Sequence, residues 1–156
     1  MKKNLIRLNK IIVSLGGVGF IKPASATWGS LVSAIILYFF FPYLTLPVKL
    51  LLIILIFVIG TILSSKIEDG EKIHDPHFVV IDELVGMMIT TLFISQIWWQ
   101  FALAFILFRI FDIAKLWPAS YFDRQKGGFS TMFDDVLMSL LSLSTLHLIL
   151  YVSKFF

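Results

Sequence analysis

The sequence predicts an all-α, polytopic membrane protein: about five transmembrane helices, preceded by an N-terminal amphipathic helix lying at the interface. Three observations carry that expectation. Of 156 residues, 58% are hydrophobic and 15% charged, whereas a soluble domain holds about 45–50% apolar and about 25% charged residues. The mean hydropathy is +0.92. The apolar residues, with 16 Phe among them, gather into five blocks and do not alternate, which sets β-strands aside because open sheet edges cannot sit in lipid. Disorder is excluded, an ordinary soluble enzyme fits poorly, and the length suits a single integral membrane domain over residues 1–156. Cysteine is absent, so disulfides, thiolate nucleophiles and cysteine zinc sites are excluded together.

The elements follow in order. Residues 2–15 read as an amphipathic helix on the cytoplasmic surface, with its lysines toward anionic headgroups. Together with Ala24-Ser25-Ala26 the segment imitates a cleavable signal peptide. However, Gly16, Gly17 and Gly19 interrupt its apolar core and Lys22-Pro23 follows at once, so it is expected to be retained. The apolar blocks span about 28–44, 48–63, 79–98, 101–117 and 136–152. Several reach the roughly 20 residues of a span only by taking in flanking Ser, Thr or charged residues. Pro42 and Pro47 punctuate the first connection, and Trp98-Trp99 suit an interfacial belt.

Lys2, Lys3, Arg7, Lys10, Lys22, Lys66, Lys72, Lys115, Arg124 and Lys126 fall on one side of this arrangement, against Lys49 and Lys154 on the other. The basic side is cytoplasmic, which places the N-terminus inside and the C-terminus outside. The net charge of +3 then reflects contact with anionic lipid. Nucleic acid is not an expected partner, because no basic stripe with interleaved aromatics occurs.

Ionisable residues inside membrane segments are expensive and usually functional. Asp82 and Glu83 begin the third block's helix. Arg109, Asp112 and Lys115 are spaced i, i+3, i+6 on the inner half of the fourth, and Asp134 and Asp135 begin the fifth. All seven are expected at one depth on the cytoplasmic side. Helix-dipole capping accounts for adjacent acids at one helix start, and Arg109 with Asp112 has a structural reading as an interhelical pair. Three such groups on three helices are harder to explain as independent capping.

Excess carboxylates beside Arg and Lys describe a hard-cation site next to an anion site. Magnesium takes carboxylates, water and substrate phosphate, Arg offers phosphate a planar fork, and Lys a point charge. The expected magnesium ligands are Asp82, Glu83, Asp134 and Asp135, and Arg109 and Lys115 are the expected phosphate binders. Asp75, Asp82, Asp112 and Asp134 are the catalytic candidates, with Asp75 or Asp112 as general base. Water attack and an aspartyl-phosphate route both remain open. Gly127 and Gly128, in Lys126-Gly127-Gly128-Phe129, are expected to bring backbone N–H groups to the substrate phosphate. Thr27 joins them at the start of the first spanning helix. His74-Asp75-Pro76-His77 lacks a third soft ligand for zinc, and His147 near Ser144 lacks an acid for a triad.

These residues resemble the phosphatidylglycerophosphatase A family. The likeness runs through Gly17-Val18-Gly19-Phe20, Thr27-Trp28-Gly29-Ser30, His74-Asp75-Pro76 and Val80-Ile81-Asp82-Glu83-Leu84-Val85-Gly86. It continues in Phe108-Arg109-Ile110-Phe111-Asp112-Ile113-Ala114-Lys115, Trp117-Pro118, Tyr121-Phe122-Asp123-Arg124, Gly127-Gly128 and Asp134-Asp135. The family's A-P-G-T stands here as Ala24-Ser25-Ala26-Thr27, and its K-P-x-P as Lys115-Leu116-Trp117-Pro118.

The resemblance implies a magnesium-dependent phosphatase of the bacterial inner membrane that converts phosphatidylglycerophosphate to phosphatidylglycerol and phosphate. Two other classes place acids in membranes. A CDP-alcohol phosphotransferase wants D-G-x-x-A-R, whereas Asp69-Gly70 leads here to Glu71-Lys72-Ile73-His74. An ion or anion transporter puts its charges near the midplane of repeated halves, whereas these lie at one end.

Overall fold

The computed structural model describes residues 2–73, 76–122 and 124–155, with side chains from residue 6 onward. All regular structure among them is helical: α1 (Lys2–Val13), α2 (Ser25–Phe40), α3 (Leu46–Glu71), α4 (Ile81–Thr90), α5 (Trp98–Ala114), the single turn α6 (Ala119–Phe122) and α7 (Gly128–Val152). Short 3₁₀ turns occupy Val18–Phe20 and Phe41–Tyr43. Three helical stretches are long and apolar enough to cross a membrane, Ser25–Tyr43, Leu46–Glu71 and Gly128–Val152. On α3, Leu51, Ile54, Leu55, Val58 and Ile62 are all exposed, as a lipid-facing side requires.

The expected five-span pattern differs at the third block. Helix α4 stops at Thr90, and its ten residues rise only about 15 Å against a hydrocarbon core of about 30 Å. Hydropathy does not register where the helix ends. Thr90 Oγ1 donates to the Gly86 carbonyl at 2.9 Å and Thr91 Oγ1 to the Met87 carbonyl at 2.7 Å, and the helical ladder gives way where the Leu92 N–H turns to the Ile89 carbonyl at 3.1 Å.

Residues 91–97 then turn, and inside a bilayer such non-helical backbone would have to find partners within the protein. Lys49, buried on α3, donates through Nζ to the Leu92 carbonyl at 3.1 Å, its charge 5.0 Å from the Phe41 ring centre. Nine of the ten α4 residues are buried. The helix packs against α2, α3 and α7, with α5 closing the remaining side. A β-carbon on Gly86 would lie 2.3 Å from Phe108 Cζ, so glycine permits that approach.

Helix α1 is short and carries Ile6, Leu8, Ile11 and Ile12 exposed, which fits the expected interfacial helix. Lys10 pairs with Glu71 at the end of α3 at 2.6 Å, and the Val13 carbonyl accepts the Val80 N–H at 2.9 Å. These contacts anchor α1 and the approach to α4 to one end of the bundle.

Helix α7 begins at Gly128, eight residues before the apolar block, because its first turns pack on α3 and are not lipid-facing. A β-carbon on Gly128 would stand 2.4 Å from the Thr61 carbonyl oxygen and 2.5 Å from Ser65 N. Glu68 of α3 accepts from Gly127 N–H at 3.0 Å and from Thr131 Oγ1 at 2.9 Å. Asp134 and Asp135, expected at a helix start, therefore sit in the second turn of α7.

Candidate active site

Three helices bring charged side chains to the same end of the bundle, and a fourth adds small and hydroxyl residues. Helix α4 contributes Asp82 and Glu83 from its first turn. Helix α5 contributes Arg109 and Asp112, with Lys115 just past its C-terminus, where φ is +40°. Helix α7 supplies Thr131, Asp134 and Asp135, and α2 supplies Ser25, Ala26 and Ser30. Asp82, Glu83, Asp112, Lys115, Asp134 and Asp135 line one pocket of about 210 Å³, together with Ser25, Ala26, His77, Val79 and Thr131. Six of the seven charged residues expected together line this pocket, and Arg109 stands beside it.

Arg109 forms the hub. Its Nη1 donates to Glu83 Oε1 at 2.8 Å and Oε2 at 2.9 Å, and lies 3.0 Å from Asp112 Oδ2. Ser30 Oγ lies 2.6 Å from Glu83 Oε2 and 3.3 Å from Arg109 Nη1. Asp82 Oδ1 accepts the Glu83 N–H at 2.9 Å. Across the pocket Lys115 Nζ meets Asp134 Oδ2 at 3.1 Å. Arg109 Nε and Asp135 Oδ2 are buried with no hydrogen-bond partner among the described residues.

The pocket thus gathers five carboxylates against Arg109 and Lys115. Buried charge of one sign is costly unless it is paired or bound to metal, and the all-oxygen donor set with an orphaned Asp135 oxygen fits a hard cation. Among the described residues no three acids or histidines stand close enough to enclose a cation by themselves. Magnesium does not require such a cage, since one or two carboxylates plus water and substrate phosphate complete its shell.

Some expected residues lie elsewhere. Thr27 is not among the pocket's lining residues. Gly127 borders a separate cavity with Ser65, Glu68, Asp69, Lys72 and Lys126. The Gly127 and Gly128 N–H groups, expected to face phosphate, are bonded to Glu68 Oε2 and Ser65 Oγ, each at 3.0 Å. Glu83, expected as a metal ligand, already receives Arg109 on both oxygens. Asp75, and Asp123 of the family-like motif, lie outside the described residues. His77 and Thr131 line the pocket and Glu68 anchors α7, roles that no motif in the sequence marks. His147 stands apart, its Nδ1 2.9 Å from the Leu143 carbonyl and its ring edge-on to Phe93.

Comparison with known proteins places this geometry in context. The family model described as Phosphatidylglycerophosphatase A matches residues 11–150. A protein of that name from Haemophilus influenzae is 37% identical over 153 residues, covering 96% of this chain and 94% of the relative. One from Escherichia coli is 33% identical, covering 85% and 78% respectively. A Bacteroides thetaiotaomicron protein, provisionally named a phosphatidylinositol-3-phosphatase, is 34% identical over 85% of this chain and 87% of its own length. No solved structure matches.

Proposed function

The chain belongs to the phosphatidylglycerophosphatase A family, phosphatases acting on a phosphate monoester, and from that premise we propose that it hydrolyses phosphatidylglycerophosphate to phosphatidylglycerol and inorganic phosphate. One observation supports this reading above the others: buried Asp82, Asp112, Asp134 and Asp135 share a small pocket with Lys115, with Arg109 beside it. The pairing of surplus carboxylates with two cations suits a phosphate carried on a metal. Family membership favours hydrolysis over the phosphotransferase and transport readings. The basic bias of the loops supports a bacterial inner-membrane protein with its N-terminus and pocket on the cytoplasmic side.

In this mechanism Asp82, Asp134 and Asp135 would hold magnesium, which when bound would neutralise charge on the phosphoryl oxygens. Monoester cleavage needs positioning and charge stabilisation more than covalent chemistry. Arg109 and Lys115 supply the protein's positive charge, and Glu83 and Ser30 fix the guanidinium in place. Asp112 is the general base within the described residues and takes a proton from the attacking water. The new P–O bond forms as the ester P–O bond breaks, and the proton taken by Asp112 passes to the departing glycerol oxygen, which leaves as the alcohol.

Purified protein in detergent should release phosphate from phosphatidylglycerophosphate, lose that activity on chelation and regain it when magnesium is restored. Phosphatidylinositol 3-phosphate, tested alongside, should be the poorer substrate. Full turnover after thorough chelation would remove the metal from the account. No release from phosphatidylglycerophosphate would remove the function.

A further inference from the structure

A larger cavity adjoins the acidic pocket. It encloses about 800 Å³, has Phe20, Lys22, Ile73 and Phe78 on its walls, and shares Ser25, Ala26 and His77 with the acidic pocket. Contacts hold Phe20, Phe78, Ser25 and His77 against one another or their neighbours. The Phe20 and Phe78 rings stack at 5.1 Å, and Lys10 Nζ lies 5.3 Å from the Phe78 ring centre. The Ser25 hydroxyl donates to the His77 carbonyl. A β-carbon on Gly19 would fall 2.0 Å from the Phe78 carbonyl oxygen, so only glycine lets the 18–20 turn press against this strip of backbone. Phe20 and Ile21 are exposed beside the opening.

The two pockets meet at a neck of Ser25, Ala26 and His77, and the larger one adds Lys22 and the aromatic and aliphatic walls of Phe20, Ile73 and Phe78. A phosphatidylglycerophosphate molecule offers matching groups: a terminal monoester, one glycerol, a singly charged phosphodiester, and then diacylglycerol. With the monoester in the acidic pocket, the glycerol occupies the neck and the diester reaches the cavity.

We propose that this cavity is the subsite for the lipid's phosphodiester, with Lys22 as its counter-charge and Phe20, Ile73 and Phe78 against the start of the acyl region. The inference rests on the phosphatase reading and deepens it. Lys22 becomes a specificity-determining residue that favours lipids whose monoester is separated from diacylglycerol by a diester.

The test compares phosphatidylglycerophosphate with phosphatidic acid, which carries its monoester directly on diacylglycerol, in the same mixed micelles with magnesium. Lys22→Ala should lower the ratio of kcat/KM for the two lipids about tenfold, the effect of one charge-assisted hydrogen bond. The change should appear chiefly as a higher KM for phosphatidylglycerophosphate. Lys22→Arg should restore most of the ratio. Melting temperatures should match, because Lys22 is exposed. An equal fall on both lipids would assign Lys22 to general attraction for anionic surfaces and overturn the subsite, as would no change on either. Wild-type protein inactive on both would defeat the phosphatase reading itself, and the subsite with it.

Discussion

Arg109 is gripped from two sides, by Glu83 of α4 and by Asp112 one turn along its own helix. The structural and catalytic readings therefore share one side chain, and substitution separates them. Arg109→Ala leaves two buried carboxylates uncompensated and should cost about 3–5 kcal/mol of stability, read as a lower melting temperature in detergent. Arg109→Lys keeps a cation near both acids but loses the planar fork. Its kcat/KM should fall roughly tenfold to a hundredfold with a much smaller change in melting. Wild-type kcat/KM in Arg109→Lys would confine the residue to architecture. The seven charged residues were legible at this scale because charge in an apolar segment stands out. Thr131 and Glu68 were not, since a hydroxyl or an acid near a helix end carries no signal until its partner is known.

Helix α7 owes its position to α3. Glu68 takes the Gly127 N–H and the Thr131 hydroxyl, and Gly128 lies against the α3 backbone. Because Thr131, Asp134 and Asp135 follow within two turns, this contact sets where α7 delivers its acids. Gly128→Ala drives a methyl group into backbone atoms that cannot step aside, and should cost about 1–3 kcal/mol. Gly70→Ala, in α3 with nothing within 4 Å, should be neutral or gain up to about 1 kcal/mol from helix propensity. Chemical unfolding of both variants in detergent checks the pair, and equal stabilities would contradict the close approach.

Element existence was readable from hydropathy, but two boundaries were not. The third block runs on through Leu92-Phe93-Ile94 to Trp98, yet α4 ends at Thr90, where the Leu92 N–H turns to the Ile89 carbonyl. The start of α7 lies outside the fifth block because most of residues 128–135 are buried against protein, so lipid-scale hydropathy passes over them. Those acids are thus in the second turn, beyond most of the helix dipole's reach, and simple capping does not explain them.

Across the whole molecule, the acids of three helices meet at the end that also holds α1 and the loops carrying Lys72 and Lys126. Single cysteines placed beside those two lysines should resist an impermeant thiol reagent in intact cells, while one beside Pro47 should react. The reverse pattern would put the pocket outside. The distribution of Lys and Arg carries the proposed direction, whereas the pairing of helices, with α4 at the centre, required the three-dimensional contacts. The central claim is that this shared pocket performs the chemistry and does not merely hold the bundle together. Asp135→Asn is the sharpest probe, because its buried Oδ2 has no hydrogen-bond partner to lose and the amide is nearly isosteric. Magnesium-supported phosphate release from phosphatidylglycerophosphate should drop at least about a hundredfold, the loss of roughly 2.7 kcal/mol of transition-state stabilisation, while the melting temperature holds or rises as one buried like charge disappears. Wild-type turnover in Asp135→Asn, or a collapsed melting temperature accompanying its loss, would contradict the account.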